Sequence, residues 1–390
     1  MTIKFKVKPE DFIVSEVVKI TPSEKGDFAL YLLKKVNLTT WDALGKISKF
    51  FRIPLEFFGY GGLKDKRAIT YQYITIKHGP KRDFRGKSLE LTYLGNVPKS
   101  LDKNDLLGNN FEITLRGITI DDHSILRNIE EVKQYGIPNY FDEQRFGSVY
   151  KGKEFAVKEI IKGNYERALF LLLAVGSAED MRQSRALRDC LRKNWGNWKD
   201  CIKFARLTWE KNLLNFLSNH TPSKRTFKRA LNLVDQEYLF FLGNVYQSYL
   251  WNEVLKECLA YLNLNHFTMK YPLGDLYFYR EISEALFKFL PHLKIPYPSP
   301  RLKLENIPEL PLKDLYQKVF RREGLEDLQN LRTFIKGLVF KSYPRPAIVI
   351  PQNLNWKRLA KDKVLINFFL EKGAYATLVI KRIFYANKAS

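Results

Sequence analysis

Apolar and polar positions alternate over the first 30 residues, at Ile3, Phe5 and Val7 and again at Phe12 and Val14, which predicts strands. The period then lengthens. Thr40 can cap a helix whose apolar face is Trp41, Leu44, Ile47 and Phe51, with Pro54 ending it. A glycine-rich turn, GYGGLKD, precedes ITYQYITI, which reads as a strand. FEITLRGITI is another strand, followed by a helix from about Asp121 to Tyr135. NYFDEQRFG then forms a turn dense in aromatic and polar side chains. From about residue 150 the text is helical, with a long segment near 237–262. The proline-rich HLKIPYPSPRLKLENIPELP marks a loop or domain edge. AIVIP, KVLINFFL and AYATLVIKRIF return to a strand-like pattern. β-rich ends therefore flank a helix-rich middle. The simplest architecture is an α+β domain built from both termini, with a mostly helical domain inserted.

Composition narrows the function classes. The longest unbroken apolar run, Ala168 to Val175, is far short of the ~18 residues of a spanning helix. MTIKFKVKPEDF lacks the apolar core of a secretory signal, so no membrane role is expected. The cysteines, Cys190, Cys201 and Cys258, fit neither a disulfide framework nor a CxxC pair, which points to a reducing cytoplasm. His78, His123, His220, His266 and His292 are scattered, so no zinc site is expected.

The net charge of +23 implies a polyanionic partner, nucleic acid first. The surplus is uneven. Residues 181–230 hold 13 basic and 3 acidic side chains, and residues 338–390 hold 10 and 2. Arg182, Arg185, Arg188 and Arg192 follow one another at steps of three and four, along one side of a helix. Lys224, Arg225, Lys228 and Arg229 repeat the spacing. Such stripes can follow a phosphate backbone, although a single one also reads as a solvated helix face.

Two segments carry candidate chemistry. In GGLKDKRAIT, Gly61 to Thr70, one carboxylate, Asp65, sits among Lys64, Lys66 and Arg67. The glycines permit close approach of a ligand, and the cations favour an ionised carboxylate. That suits nucleophilic or electrostatic work at a sugar carbon, while composition alone also allows an ordinary charged turn. In NYFDEQRFG, Asn139 to Gly147, rings, amides and an arginine are the equipment for holding an unstacked base, with Phe146 assigned to the core.

At these residues the chain resembles the TruD-type tRNA pseudouridine synthases. PEDFIVSE (Pro9 to Glu16) is similar to the family's PEDFxVxE. GGLKDKRAITYQ resembles AGxKDxxAxTxQ, and NYFDEQRFG resembles NYFGxQRFG. YQSYLWN (Tyr246 to Asn252) resembles YQSYLFN, and RPAIVIPQNLNW and KGAYATLVIKRI resemble the closing segments. The six pieces come in family order, over about residues 4–384.

The resemblance implies a pseudouridine-synthase-like mixed, mainly antiparallel sheet with flanking helices, interrupted by an inserted α-rich domain. It places the catalytic domain in 1–150 plus 338–390, and an insert contributing to RNA binding in 151–337. It implies isomerisation of uridine 13 of tRNA without metal or organic cofactor, by a monomer. Asp65 matches the aspartate that attacks ribose C1′ or assists departure of uracil through a glycal-type intermediate. Phe141 matches the aromatic that stacks on the target base, with Asn139 beside it. Lys64, Phe12 and Lys6 match further residues of the site. Three departures stand out: Gly61 for alanine, Asp142 for the glycine after Phe141, and Lys381-Arg382 for Arg-Glu. Asp142 would be tolerable if its position needs a positive φ, and Lys381-Arg382 removes a carboxylate. A non-catalytic RNA-binding or chaperone protein on the same scaffold is the alternative, though a binder has no need of a cation-flanked carboxylate. A methyltransferase would need a glycine-rich loop after a strand, and none stands out.

Overall fold

A computed structural model describes residues 3–149, 154–175 and 182–385, with backbone alone for 182–184. Two compact units emerge: residues up to Ile137 together with those from Val349 onward, and Pro138–Ile348. They part at Ile137/Pro138 and Ile348/Val349, against the expected limits at 150/151 and 337/338. NYFDEQRFG accordingly lies in the second unit.

The first unit is a nine-stranded sheet. Its strands are β1 (Phe12–Val18), β2 (Phe28–Val36), β3 (Phe58–Tyr60), β4 (Ile69–Lys77), β5 (Phe84–Gly86), β6 (Leu89–Val97), β7 (Leu106–Arg116) and the C-terminal pair Gln352–Ala360 and Lys363–Glu371. The C-terminal pair is a hairpin whose second strand lies antiparallel to β7. β7 then pairs with β1, β1 with β4, β4 with β2, β2 with β6 and β6 with β5, while β3 adds to β4. β1 and β4 run parallel, and the other pairings are antiparallel. Alternation decides which face is buried: Val364, Ile366, Phe368 and Leu370 point inward along the last strand. Helix α1 (Thr40–Phe51) lays Ala43, Leu44 and Ile47 on Tyr31, Leu33, Ile74 and Ile76. Helix α2 (Asp122–Tyr135) packs on the C-terminal helix Ala376–Phe384. There Asn128 Nδ2 donates to the Ile383 carbonyl at 2.6 Å, and buried Arg382 pairs with Glu131 at 2.6 Å. Glu131 thus supplies, from α2, a carboxylate for the Lys381-Arg382 segment.

The second unit is organised around helix Gln236–Tyr261, capped by Asp235, whose side chain accepts from the Tyr238 N–H. Leu239, Val245, Tyr246, Leu250, Trp251, Val254 and Cys258 are all buried, so core surrounds this helix on most sides. Shorter helices and two antiparallel ribbons, His266–Tyr271 with Gly274–Tyr279 and Lys294–Pro296 with Pro344–Pro346, complete it.

Several local expectations are corrected. Ile3–Val7 forms no strand beyond one bridge, Lys4 to Arg116, because Lys6 adopts a left-handed φ of 61° and Pro9–Asp11 is a 3₁₀ turn. The cap of α1 is Thr39, not Thr40. Trp41 is exposed rather than on the buried face. FEITLRGITI stops being strand at Arg116, where Gly117 turns with φ 73°. AYATLVIKRIF is a helix over Ala376–Phe384: its consecutive Thr, Leu, Val and Ile imitate a strand, but every residue except Lys381 is buried. Cys190 and Cys201 are joined in a disulfide, against the expectation that the cysteine spacing fits none. The turn between helices Arg182–Lys193 and Trp198–Cys201 brings them together. Cys258 stays a buried thiol, its pKa pushed up to about 12 by burial.

Candidate active site

The chain from β3 to β4 is the turn that carries Asp65. A Cβ at Gly61, where the family pattern has alanine, would stand 3.3 Å from Leu106 Cβ, so an alanine here requires Leu106 to give by a few tenths of an ångström. Side chains from three elements pin the turn. The Lys35 ammonium, fully buried on β2, donates to the carbonyls of Leu38 at 2.7 Å, Asp65 at 2.8 Å and Lys64 at 3.4 Å. Thr40, at the start of α1, accepts from the Lys64 N–H at 3.0 Å and donates to Gln72 Oε1 at 3.0 Å. Gln72 Nε2 reaches the Gly62 carbonyl at 3.5 Å.

Lys64 turns away from the carboxylate it precedes. Its Nζ lies 2.7 Å from Glu16 Oε1 and 2.8 Å from Asn109 Oδ1. Glu16 Oε2 in turn accepts from the Tyr73 N–H at 2.9 Å. Burial pushes the Glu16 carboxyl above its usual range, and the Lys64 charge opposes that rise. Lys66 and Arg67 are exposed. The cation that pairs with Asp65 is therefore Lys6 and not a flanking residue. Its Nζ stands 3.2 Å from Asp65 Oδ2 and 4.0 Å over the Phe12 ring. Left-handed backbone at a non-glycine residue is costly and tends to be kept where a site needs it. Asp11, paired with Arg116 at 2.7 Å, anchors the turn that follows, and the Arg116 guanidinium holds its carboxyl below the usual range.

Asn139 and Phe141 lie in the second unit. The Phe141 N–H donates to Asn252 Oδ1 and its carbonyl accepts from Asn252 Nδ2, both at 2.8 Å. Its ring, 7% exposed, meets Trp251 edge-on at 5.8 Å and carries the Arg345 guanidinium at 4.2 Å. The Asn139 amide is engaged internally: Oδ1 accepts from Arg345 Nη2 at 2.8 Å, and Nδ2 donates to the Pro346 carbonyl at 3.1 Å. Asp142 has φ −96°, so this position makes no demand for left-handed backbone. Phe146 is core, as expected.

Arg182–Lys193 is the helix that the arginine spacing predicts. Arg185 and Arg192 are exposed and Arg188 is half-buried, while the Arg182 side chain lies outside the described residues. Arg192 pairs with Asp189, one turn earlier on the same helix. Among the described residues no group of three His, Cys, Asp or Glu converges as a metal site would require. No described helix is long and apolar enough to cross a membrane.

The sequence assigns no role to Lys35, Glu16, Asn109, Gln72, Asn252 and Arg345, and to Thr40 only that of a helix cap. Glu16, Gln72, Asn252 and Arg345 nonetheless stand inside the quoted motifs, and that was the available signal.

Comparison with known proteins decides the family. The model of tRNA pseudouridine synthase D (TruD) matches residues 1–282. The chain belongs to the tRNA pseudouridine synthase D family. It is 35% identical to a probable tRNA pseudouridine synthase D 1 of Methanococcus maripaludis, over 98% of this chain and 99% of that one. It is 34% identical to the tRNA pseudouridine synthase D of Aquifex aeolicus over the full length of both. The crystal structure of a putative TruD from Methanosarcina mazei shares the fold, with a TM-score of 0.73 at 24% identity, covering 98% of this chain and 93% of that one. As a TruD-family member the chain is an isomerase that converts uridine in tRNA to pseudouridine.

Proposed function

We propose that the target is uridine 13 of tRNA and that Asp65 is the catalytic carboxylate. The observation that carries this reading is the Lys6–Asp65 pair at 3.2 Å, on a turn whose main chain is fixed by Lys35 and Thr40. In the reaction the N1–C1′ bond breaks and a C5–C1′ bond forms. C5 loses a proton and N1 gains one, so the base keeps its composition. Asp65 attacks C1′ or assists departure of uracil through a glycal-type intermediate. Lys6 pairs with the carboxylate and aims it, with its ammonium seated on Phe12. Lys64 acts from below, locking the turn to β1 through Glu16.

Phe141 is assigned to stack on the extruded base. The contacts of Asn139 support a positioning role, through Arg345, for the segment that bears Phe141. The helix bearing Arg185, Arg188 and Arg192 is assigned to phosphate contact. Work on tRNA by a monomer in the cytoplasm completes the proposal.

The test is pseudouridine mapping of tRNA after incubation with wild type and with Asp65→Asn. Wild type is expected to modify position 13, and the variant to bind tRNA with similar affinity but form no pseudouridine. Product from Asp65→Asn removes the catalytic assignment, and product only at other positions removes the assignment to position 13.

A further inference from the structure

The second basic stripe belongs to a surface that the catalytic reading leaves unused. Helix Lys224–Leu231 buries Phe227, Ala230 and Leu231 and turns Lys224, Arg225, Lys228 and Arg229 outward. None of these four cations has a carboxylate partner among the described residues. Three of them sit over aromatic rings instead. Lys224 and Lys228 each lie 5.9 Å from the ring centre of Tyr165, and Lys228 lies 5.6 Å from that of Phe334. Arg229 lies 5.1 Å from Phe216, whose other neighbour is the His220 ring at 4.1 Å.

Phe334 is the unusual member. It is 80% exposed, the most of any large hydrophobic side chain described. Its loop is held in place. Leu331, Ile335 and Leu338 are buried beneath it, and the Lys336 N–H donates to Asn232 Oδ1, at the C-cap of the basic helix, at 2.8 Å. Exposed Arg332 and Lys336 flank the ring. A bare ring on an anchored loop, with the Lys228 ammonium beside it and exposed cations two residues away on either side in sequence, fits a base and its phosphates better than an apolar protein face.

We propose that helix Lys224–Leu231, with Tyr165 and Phe334, is a docking site for an unpaired stretch of RNA. A base stacks on Phe334, and neighbouring phosphates lie along Lys224 and Lys228. This rests on the reading that the chain acts on RNA, and it names a second contact on that RNA apart from Asp65.

The experiment measures affinity for a fluorescently labelled tRNA transcript, with single-stranded oligouridine and a blunt RNA duplex as competitors, beside single-turnover pseudouridine formation at saturating protein. Phe334→Ala is expected to weaken tRNA binding about 5- to 100-fold. Phe334→Tyr should restore it, and the single-turnover rate should not change. Lys224→Gln with Lys228→Gln should flatten the salt dependence of log Kd by roughly 1 to 1.5. Oligouridine should compete better than duplex, and lose that advantage in Phe334→Ala. Unchanged RNA affinity in Phe334→Ala assigns the patch to another kind of partner and overturns the proposal. A Tyr variant as weak as the Ala variant overturns the stacking role. Should wild type bind tRNA through Phe334 yet form no pseudouridine, the docking site stands and the catalytic reading falls.

Discussion

Lys35 brings an ammonium into the sheet and meets three carbonyls, those of Leu38, Lys64 and Asp65. Three protons serve three acceptors, and the neutral amine has only two to offer. Burial pulls its pKa down to about 8; the Asp65 and Asp42 charges resist the fall and Lys64 adds to it. Turnover is therefore expected to decline as pH rises through about 8, as the hold on the Asp65 carbonyl loosens. Stability moves the other way. Between about 8 and the ordinary 10.5 the unfolded chain binds more protons at this residue, so its contribution to stability rises with pH. A pH–rate profile measured beside thermal melts separates the two. Lys35→Arg, whose guanidinium keeps its charge, should carry the alkaline limb upward, and an unmoved limb counts against the assignment. At this scale Asp65 stood out as a candidate, because a lone carboxylate in a glycine-rich turn is conspicuous. Lys35 was not. It reads as half of a Lys-Lys pair, and only the register with Thr70 on β4 shows which lysine points inward. Lys6 was named through the resemblance alone, since its position depends on a backbone turn that alternation conceals.

The start of α1 shows two adjacent threonines in different work. Thr39 caps the helix, accepting from the Asp42 N–H, while Thr40 ties the helix to the Asp65 turn. Thr39→Ala is expected to cost about 1 kcal/mol of stability and leave turnover near wild type. Thr40→Val should cut turnover with a smaller change in melting. Equal effects on turnover would show that the helix terminus as a whole positions the turn. Elements with one wet face, such as β4 and α2, were legible because their period survives in the sequence. Ala376–Phe384 was not, because its consecutive Thr, Leu, Val and Ile mimic a strand. The Cys190–Cys201 bond escaped for a related reason, since spacing counts carry no information about a turn between two helices.

For the molecule as a whole, the assembly of one sheet from both ends was legible, because strand-like text flanks a helical middle. The limits of the inserted part were less so. NYFDEQRFG reads as a turn leaving the sheet, but Asn252 and Arg345 bind it into the second unit. The tetrad around Lys224 stood out as charge, whereas its aromatic partners come from separate segments and appear only in three dimensions.

The seating of strand Lys363–Glu371 beside β7 also sets a timetable for synthesis. β7 leaves the ribosome with one edge unpaired, and its partner is encoded beyond the entire second unit. At about 5 to 20 residues per second, that edge waits roughly 10 to 50 s for completion. An open edge is a template for pairing with other chains. A chain ending at residue 348 is therefore expected to aggregate, and co-expression of residues 349–390 should return it to the soluble fraction. If the short chain is soluble and monomeric alone, the waiting edge is protected by some other means. In a crowded translation system, residues 349–390 decide whether the first 116 stay out of trouble.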